Sequence, residues 1–591
     1  MNPNVSKTLA ASAVALLISG CGGGSGDAAD PAPTQNETPT PPTLQVSGTA
    51  ATGLALAGSA VDVKCAAGTG TATTDASGAF MLTIADGALP CIIKVTGNVN
   101  GTTVTLHSVT EAGTGEGSTT AIANVTPLTE MIVAQLTGSL PGDLFESFDA
   151  NGSAKVTQAQ LITATAAVVS ALKAATGIDL GDIDPFKSPL VAATPVAPDQ
   201  GNAYDQILDK LKEKVSTEAL PLIVNQIAAA AGAAGDGSGA GPVTLGDVMA
   251  SVEGGSLPGC PAAVSGKYRT IDYWGRTLVR QFDFKSLKVN RGDNGQPLFD
   301  IAVDPAKPCE FTATGTVDAV ESRHDFVIGA SGAGGYRSQN LTEGGSTIGY
   351  IFPVQSHALS AITGTWNFLQ SGYLTGEPVG HFPGQLVVGE DRKVDVCDYR
   401  PELDWACESD DVADLNVSSA ADGGFSLDEA GGSVARLFGY RAPDGQLTVF
   451  GTTNPTGSRE DLVEQTSIVA SRPRTLGLPA VDSSTRYWDL NQSRLNGINS
   501  TTPIEANSTK VLAVDATNAS FTRERLSDER QDTVLVNRPV DGFRFRPPGT
   551  WNGQSFGGTV QFTVPSLGIN ASINGAPSSP TLHFYAISVT R

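Results

Sequence analysis

The segment between Asp398 and Asp414 is rich in carboxylates, the groups that bind hard cations or work as general acids and bases. If Cys397 and Cys407 close part of it with a disulfide, Asp404 and Glu408 could hold Ca²⁺. The alternative is a solvated loop whose acids point into water, and a charge run of this kind favours that alternative. We therefore expect no cofactor here beyond weak Ca²⁺ binding.

A second candidate calcium site begins at Asp149. The run Asp149-Ala150-Asn151-Gly152-Ser153 resembles the first half of an EF-hand loop, with Asp149, Asn151 and Ser153 at the first three side-chain ligand positions. Ala154 replaces the glycine of the sharp turn, and Gln160 replaces the bidentate glutamate. The resemblance therefore implies weak calcium binding at most, and a polar turn is the favoured interpretation.

One motif belongs to nucleophilic catalysis. Gly553-Gln554-Ser555-Phe556-Gly557 fits the G-x-S-x-G pattern of serine hydrolases, which requires a strand before the serine and a helix after it. Residues 559–564 read as a strand instead, and His583 is the only histidine downstream. The sequence thus predicts no catalytic residue. An anchored hydrolase of polymers or glycans, whose carboxylates meet only in the fold, stays open as an alternative.

Gly364-Thr365-Trp366 resembles the G-x-W that opens lipocalins. In that family the tryptophan closes one end of a ligand-holding barrel, so the resemblance implies a carrier of an apolar ligand. The alternative interpretation, which we favour, is a core tryptophan in an antiparallel sheet.

Six cysteines lie downstream of Cys21, and six allow 15 pairings. The sequence contains no C-x-x-C and no nearby pair of histidines, so disulfides are favoured over a zinc site. Grouping the cysteines by segment favours local bridges. The predicted pairs are Cys65–Cys91, Cys260–Cys309 and Cys397–Cys407.

The N-terminus has the order of an export signal. Lys7 precedes a short apolar run, residues 9–18, which is too short to span a bilayer as a helix. The run ends in Ile18-Ser19-Gly20-Cys21, which resembles the lipobox of bacterial lipoproteins. The resemblance implies a signal peptide over 1–20, acylation (palmitate included) at Cys21, and, since Gly22 follows, sorting to the outer membrane. Residues 21–43 are rich in Gly and Pro and predict a disordered tether.

Composition restricts the partners. The chain has 591 residues and a net charge of −23 with only 37 basic residues, so nucleic acid is excluded as a partner class. Anionic membranes should repel the chain, which leaves the lipid anchor as its link to the membrane. We expect an unknown protein or glycan as ligand.

Residues 44–117 alternate apolar and polar residues between turns. Val46-Ser47-Gly48, Thr73-Thr74-Asp75-Ala76-Ser77-Gly78-Ala79-Phe80 and Ile92-Ile93-Lys94-Val95 resemble carboxypeptidase regulatory-like domains, which are small transthyretin-like β-sandwiches. Asp75-Ala76-Ser77-Gly78 predicts a hairpin turn, after which Phe80 re-enters the core. In this family the module is a structural or binding accessory.

From 118 to 256 the hydrophobic period becomes helical. Thr126-Pro127 predicts an N-cap followed by proline at the first helical position, and Thr157 with Gln160 predicts a capping box. We expect a helical domain here.

From 257 onward strand patterns and glycine turns return, and they predict antiparallel β domains with barrel- or sandwich-like form over 257–358, 359–480 and 481–591. The alternative is that residues 481–591 complete the second of these domains. The predicted protein is thus multi-domain and mainly β, an extracytoplasmic lipoprotein of the bacterial cell envelope with a binding, adhesive or structural role.

Overall fold

The computed structural model describes residues 43–99, 101–111, 119–235, 243–291, 299–374, 382–399, 407–409, 415–429, 432–453, 464–495, 498–574 and 582–591. The chain divides into two units, Met1–Pro41 and Pro42–Arg591. The predicted signal peptide and Cys21 lie outside the described residues. Every described element and core belongs to Pro42–Arg591, so this unit contains the buried surface needed to fold by itself.

Among the described residues, seven strands form an N-terminal β-sandwich. They are β1 Thr43–Thr49, β2 Ala60–Ala67, β3 Thr69–Thr73, β4 Ala79–Ala85, β5 Ala88–Val99, β6 Thr102–Val109 and β7 Thr119–Ile122. One sheet has the order β4-β1-β7 and the other β3-β2-β5-β6. Phe80 is buried, as predicted. The turn at Asp75 forms, but β3 and β4 belong to different sheets, so the prediction of a hairpin is wrong.

Seven helices follow in the described part of the chain. They are α1 Pro127–Thr137, α2 Pro141–Glu146, α3 Ala150–Ser153, α4 Gln158–Thr176, α5 Ala203–Lys214, α6 Leu220–Gly235 and α7 Leu245–Gly254. The predicted caps are confirmed: Thr126 caps α1 with Pro127 in its first turn, and Thr157 and Gln160 form a capping box on α4. The apolar side chains of the helices share one core with the sandwich.

By length and composition alone, α4 is apolar enough to cross a membrane. Its buried stripe, which includes Leu161, Val168 and Leu172, is part of the core that the sandwich and the helices share.

The next strands close into a barrel after a short hairpin of β8 Ser256–Leu257 and β9 Cys260–Val264. The barrel strands are β10 Gly266–Asp272, β11 Thr277–Asp283, β12 Lys288–Arg291, β13 Phe299–Val303, β14 Glu310–Val317, β15 Val320–Ile328, β16 Gly334–Asn340 and β17 Ser346–Pro353. Each pairs with the next and β17 pairs with β10. A cluster of aromatic rings, among them Phe282, Phe311 and Phe326, forms the core of this first barrel.

A nine-stranded curved sheet, called here the half-barrel, begins after the 3₁₀ turn Leu359–Ile362. Its strands are β18 Gly364–Leu374, β19 Phe382–Val388, β20 Val394–Tyr399, β21 Cys407–Ser409, β22 Asn416–Ser419, β23 Phe425–Glu429, β24 Gly432–Arg441, β25 Leu447–Thr453 and β26 Glu464–Ser471. The order is β21-β20-β19-β18-β26-β25-β24-β23-β22. A bridge between Lys393 and Asn416 brings β22 back to the start of β20, so the sheet wraps around an interior.

The C-terminal strands form a second closed barrel. They are β27 Ser484–Leu495, β28 Ile498–Thr501, β29 Glu505–Asp515, β30 Ser520–Arg525, β31 Arg530–Val536, β32 Phe543–Arg546, β33 Gly549–Trp551, β34 Gln554–Phe556, β35 Thr559–Val564, β36 Ile569–Asn574 and β37 Leu582–Thr590. β27 pairs with both β29 and β37, which closes the ring of β27, β29 to β32 and β35 to β37. β33 and β34 form a separate hairpin.

The first barrel, the half-barrel and the second barrel meet at one shared apolar core. Phe352 of β17 stacks on Phe450 of β25 with ring centroids 4.2 Å apart, and Trp488 of β27 and Phe562 of β35 belong to the same cluster. Strand side chains alternate between two faces. Each sheet that supplies one face to this core therefore turns its other face toward its own interior. The multi-domain, mainly β fold is confirmed.

Candidate ligand-binding sites

The half-barrel encloses an apolar cavity of about 370 Å³. Its lining side chains come from alternate positions of the strands, because the remaining positions face the shared core. Phe368 of β18, Leu437 of β24, Val449 of β25 and Ala470 of β26 illustrate the lining, and all four are buried. A cavity of this size and character suits an apolar ligand.

Trp366 lies at one part of this cavity wall and is 1% exposed. Its indole N–H donates to the carbonyl of Ile362 at 2.7 Å, which ties it to the 3₁₀ turn before β18. The Arg472 guanidinium stacks on the indole at 4.0 Å and donates to the backbone carbonyls of Ala361, Thr363 and Thr365. The ring is therefore held by two independent contacts. Burial lowers the pKa of Arg472.

Four polar side chains join the apolar ones in the lining: Gln370, Asp398, Glu429 and Thr453. Gln370 and Asp398 are 9% and 8% exposed, so both are held largely out of water. The cavity thus combines a mainly apolar wall with a few polar groups that could orient a ligand's polar end.

The second barrel has the opposite interior. Along β32, Phe543 and Phe545 belong to or pack against the shared core, while Arg544 and Arg546 line a cavity of about 620 Å³ inside the barrel. The same alternation holds on β35, where Val560 and Phe562 face the core. Its inward side chains join those of the neighbouring strands, and the polar lining includes Thr559, Gln561, Asn570, Ser572, Asn574, Ser588 and Thr590.

Five arginines line this cavity: Arg523, Arg525, Arg530, Arg544 and Arg546. Asp532 has a side chain that is 3% exposed, and its carboxylate accepts a hydrogen bond from the Arg523 Nε at 2.9 Å. The same carboxylate lies 3.4 Å from the Arg530 guanidinium and 3.6 Å from that of Arg546. One carboxylate therefore serves three guanidinium groups. Burial lowers the pKa of Arg546 to about 10, although Asp532 opposes this shift.

Arg544 differs from the other four arginines. Within the described part of the chain its side chain has no ion pair or hydrogen bond, and the guanidinium carbon lies 5.8 Å from the centre of the Phe521 ring. Burial, followed by the positive charge of Arg523, lowers the pKa of Arg544 to about 10. Arg544 is thus a cation that remains charged at neutral pH without a carboxylate of its own.

Asp489 is the one carboxylate among the described lining residues of this cavity. Its oxygens accept hydrogen bonds from the Ser588 hydroxyl at 2.6 Å and the Asn507 amide at 2.8 Å. Burial raises the pKa of Asp489, while these hydrogen bonds and the charges of Arg525 and Arg523 oppose the shift. The hydrogen bonds to Asp489 therefore come from Ser588 and Asn507. Asp489 does not pair with Arg544, which remains without a carboxylate partner in the described part of the chain.

Two predicted disulfides are confirmed. Cys65–Cys91 links directly opposed residues of β2 and β5, and Cys260–Cys309 fastens β9 to the residue before β14. Cys397 is also disulfide-bonded. The side chain of its predicted partner Cys407, on β21, lies outside the described residues.

Only part of the calcium candidates falls within the described residues. The Asp149 carboxylate accepts the Gly152 N–H at 2.9 Å at the turn that becomes α3, and the Gln160 side chain is engaged by the Thr157 hydroxyl at 2.7 Å. Asp404 and the side chains of Glu408 and Asn151 lie outside the described residues. Among the residues that are described, no group of three or more His, Cys, Asp or Glu could hold a metal ion.

The G-x-S-x-G motif does not form a catalytic elbow. Ser555 is exposed on β34 in the β33–β34 hairpin, and strand β35 follows it, where the elbow requires a helix. His583 lies on β37, opposite Arg494.

The sequence did not lead us to predict the arginine cluster of the second barrel. The signal that could have found it is the alternation in Phe543-Arg544-Phe545-Arg546 and in Arg523-Glu524-Arg525, which puts arginines on one strand face. Alternation alone does not say whether that face is solvent or a barrel interior.

No family model matches the chain, and no curated protein matches it. Among solved structures, a transferrin binding protein B double mutant from Haemophilus parasuis Hp5 matches 53% of this chain and 65% of its own at 9% identity and a TM-score of 0.18. A protein of unknown function from the DUF3598 family of Nostoc punctiforme matches 39% of this chain and 95% of its own at 11% identity and a TM-score of 0.15. The intact transferrin binding protein Ap-TbpB matches 54% and 67% at 8% identity and a TM-score of 0.14. These likenesses are too low to carry an argument.

Proposed function

We propose that the chain is a lipid-anchored binding protein of the bacterial cell envelope whose half-barrel holds an apolar small molecule. The observation that carries the proposal is the cavity of about 370 Å³ behind Trp366, lined mainly by apolar side chains. Ligand pockets fall in a range of about 300–1,000 Å³, so this cavity is large enough for one small molecule.

Physical chemistry supports an apolar occupant. Water gains few hydrogen bonds in an apolar cavity, and the lining atoms lose dispersion contacts when the space is empty. A hydrocarbon ligand restores those contacts and removes its own apolar surface from water. The polar side chains in the lining, Gln370 and Asp398 among them, would bind a polar end of such a ligand and set its orientation.

Placement in the envelope rests on the N-terminal sequence. Acylation of Cys21 would anchor the chain, since several acyl chains together give stable membrane attachment. The disulfides Cys65–Cys91 and Cys260–Cys309 suit an oxidising, extracytoplasmic compartment. The sandwich, which resembles carboxypeptidase regulatory-like domains, would act as an accessory between the anchor and the barrels.

Binding is tested on residues 42–591, exported behind a cleavable signal and purified without detergent. The probe is N-phenyl-1-naphthylamine, whose fluorescence rises in apolar surroundings. We expect saturable binding at micromolar probe concentrations, with energy transfer from tryptophan because Trp366 lines the cavity.

The decisive variant is Ala435→Phe, which places a ring in the cavity from β24. We expect at least a tenfold loss of probe affinity with an unchanged or higher thermal midpoint, because the ring fills empty space. Ala513→Phe, at an exposed position of the second barrel, is the matched control. Ala470→Leu serves if Ala435→Phe does not fold. If a folded variant with a filled cavity bound the probe with wild-type affinity, the proposal would be overturned.

The anchor is tested separately with the full chain. Cells that express the wild type or Cys21→Ala are labelled with a palmitate analogue and fractionated. We expect label and tight membrane attachment only for the wild type. Equal labelling of the two chains would contradict acylation at Cys21 and leave the cavity measurement unaffected.

A further inference from the structure

The second barrel encloses a polar cavity, although a barrel of this size can fold with its interior filled by side chains. An eight-stranded barrel can be filled by side chains, as the aromatic core of the first barrel shows. The second barrel instead keeps about 620 Å³ open among arginines, amides and hydroxyls. Thr485, Ser500 and Thr502 belong to the lining and are exposed, so the space is in reach of a solute from solvent.

The charge of this space has the opposite sign from that of the chain. Its described lining contains five arginines and one aspartate, whereas the whole protein has a net charge of −23. Asp532 behind the lining and the Asp528 partner of Arg525 reduce the excess without removing it. The Arg544 guanidinium, which has no acid of its own among the described residues, is unfavourable in this space, because a buried charge needs a counter-charge.

The guanidinium groups also have free donors. The Nε atoms of Arg530, Arg544 and Arg546 are all buried and have no hydrogen-bond partner among the described residues. A buried donor that lacks an acceptor costs free energy, and an oxyanion bound to the same guanidinium groups would offset this cost through its charge. Guanidinium groups bind carboxylate and phosphate oxygens in a forked geometry that also gives directional specificity.

We infer that the second barrel binds a polyhydroxylated small molecule that bears an oxyanion, of the class of sugar phosphates and sugar acids. The oxyanion would lie against Arg544 and its neighbours Arg530 and Arg546. The hydroxyl groups would meet the amides and hydroxyls of the adjoining strands β35 and β36, such as Gln561, Asn570 and Ser572. This site is distinct from the apolar cavity of the half-barrel and does not depend on it.

Calorimetric titration of residues 42–591 at low ionic strength tests the inference. The probes are glucose 6-phosphate, glucuronate, inorganic phosphate and glucose. We expect at least one sugar anion to bind at least tenfold more tightly than inorganic phosphate, with no measurable binding of glucose. Equal affinity for glucose, or no binding of either sugar anion, would overturn the inference. Binding of inorganic phosphate as tight as that of the sugar anions would overturn its polyhydroxylated part.

Two lining variants and one control outside the lining separate binding from structure. Arg544→Gln should weaken the anion at least tenfold, and Arg486→Gln, an exposed arginine of β27 outside the lining, should not. Gln561 pairs across the strands with Arg544, so Gln561→Glu offers it a carboxylate. We expect Gln561→Glu to raise the thermal midpoint while it abolishes anion binding. Wild-type affinity in both folded lining variants would overturn the site.

Neither outcome depends on the half-barrel. The naphthylamine probe is titrated into the same lining variants, and we expect its affinity to match that of the wild type. Loss of sugar-anion binding with intact probe binding assigns the anion to the second barrel. Competition between the probe and the sugar anion would overturn the separation of the two sites.

Discussion

The half-barrel and the second barrel are built from similar antiparallel strands, yet their interiors are opposite. Phe368, Leu437 and Val449 line the interior of the half-barrel, whereas Arg544 and Arg546 line that of the second barrel. Both sheets turn an apolar face to the same shared core. The half-barrel strands are therefore apolar on both faces, while the second barrel has one apolar face, and it faces outward.

This contrast shows that an inward face need not be the apolar face. Strand alternation provides two faces, and packing against neighbouring sheets decides which of them is buried. In the second barrel the outer face already buries Phe543, Phe562 and Ile587, so the inner face is free to be polar. Because the outer face supplies the apolar core, the inner face can keep polar side chains and open space for a ligand.

The largest expected effect is in the second barrel, at the acid that three arginines share. Asp532→Ala leaves Arg523, Arg530 and Arg546 without their counter-charge, and we expect a loss of about 3–5 kcal/mol in the free energy of unfolding. Urea denaturation at low salt measures it. Asp300→Ala, which breaks an exposed pair with Lys288, should cost less than about 1 kcal/mol. Equal losses of stability for Asp532→Ala and Asp300→Ala would mean that water screens the charges inside the second barrel as well as it screens an exposed pair.

The matching change in the half-barrel is Leu437→Ala. It enlarges a cavity that already exists, and we expect a loss of about 2–3 kcal/mol, near the lower end for a buried leucine. Leu526→Ala, at an exposed leucine, should stay within about 0.5 kcal/mol. Unlike Asp532→Ala, this cost should not change with salt. A strong salt dependence of the Leu437→Ala cost would break the contrast between the two interiors.

Trp366→Phe is expected to have a smaller effect. It removes the hydrogen bond to the Ile362 carbonyl and most of the stacking with Arg472, for a loss of about 1–2 kcal/mol. Trp551→Phe is the matched control, since the Trp551 indole N–H has no partner among the described residues. Thermal unfolding compares the two. A larger loss for Trp551 would show that Trp366 does not support the cavity wall.

The smallest effect concerns pH. Because burial raises the pKa of Asp489, its folded pKa lies above its unfolded pKa. The associated stability is present below about pH 4 and is lost as pH rises through the folded pKa. Asp489→Asn should therefore gain stability relative to the wild type as pH increases toward 7. Urea midpoints of both chains across this range decide it, and a difference that stays constant with pH would refute the shifted pKa.

The local features of the fold were within reach of the sequence. Thr126 with Pro127 and Thr157 with Gln160 begin helices as predicted, because capping depends on residues a few positions apart. The disulfides Cys65–Cys91 and Cys260–Cys309 followed from cysteine spacing within segments. Trp366 was assigned to a buried position in an antiparallel sheet, which is confirmed, and the cavity beside it was only an implication of the lipocalin-like motif.

The pairings between distant strands were out of reach. The turn at Asp75 was recognised, yet its two strands entered different sheets, because a turn sets the direction of the chain and not its partners. The arginines at 523, 525, 544 and 546 gave a visible alternation that could equally have faced solvent. Only the closure of β27 on β37 makes that face an interior.

The sequence by itself determined the mainly β class, the starts of two helices, two disulfides and the two faces of each strand, since these depend on neighbours along the chain. The tertiary structure decided which face of each strand became an interior, because that choice depends on how three sheets share one apolar core. Residues far apart in sequence, such as Asp489 and Ser588, line one cavity only when that packing encloses them.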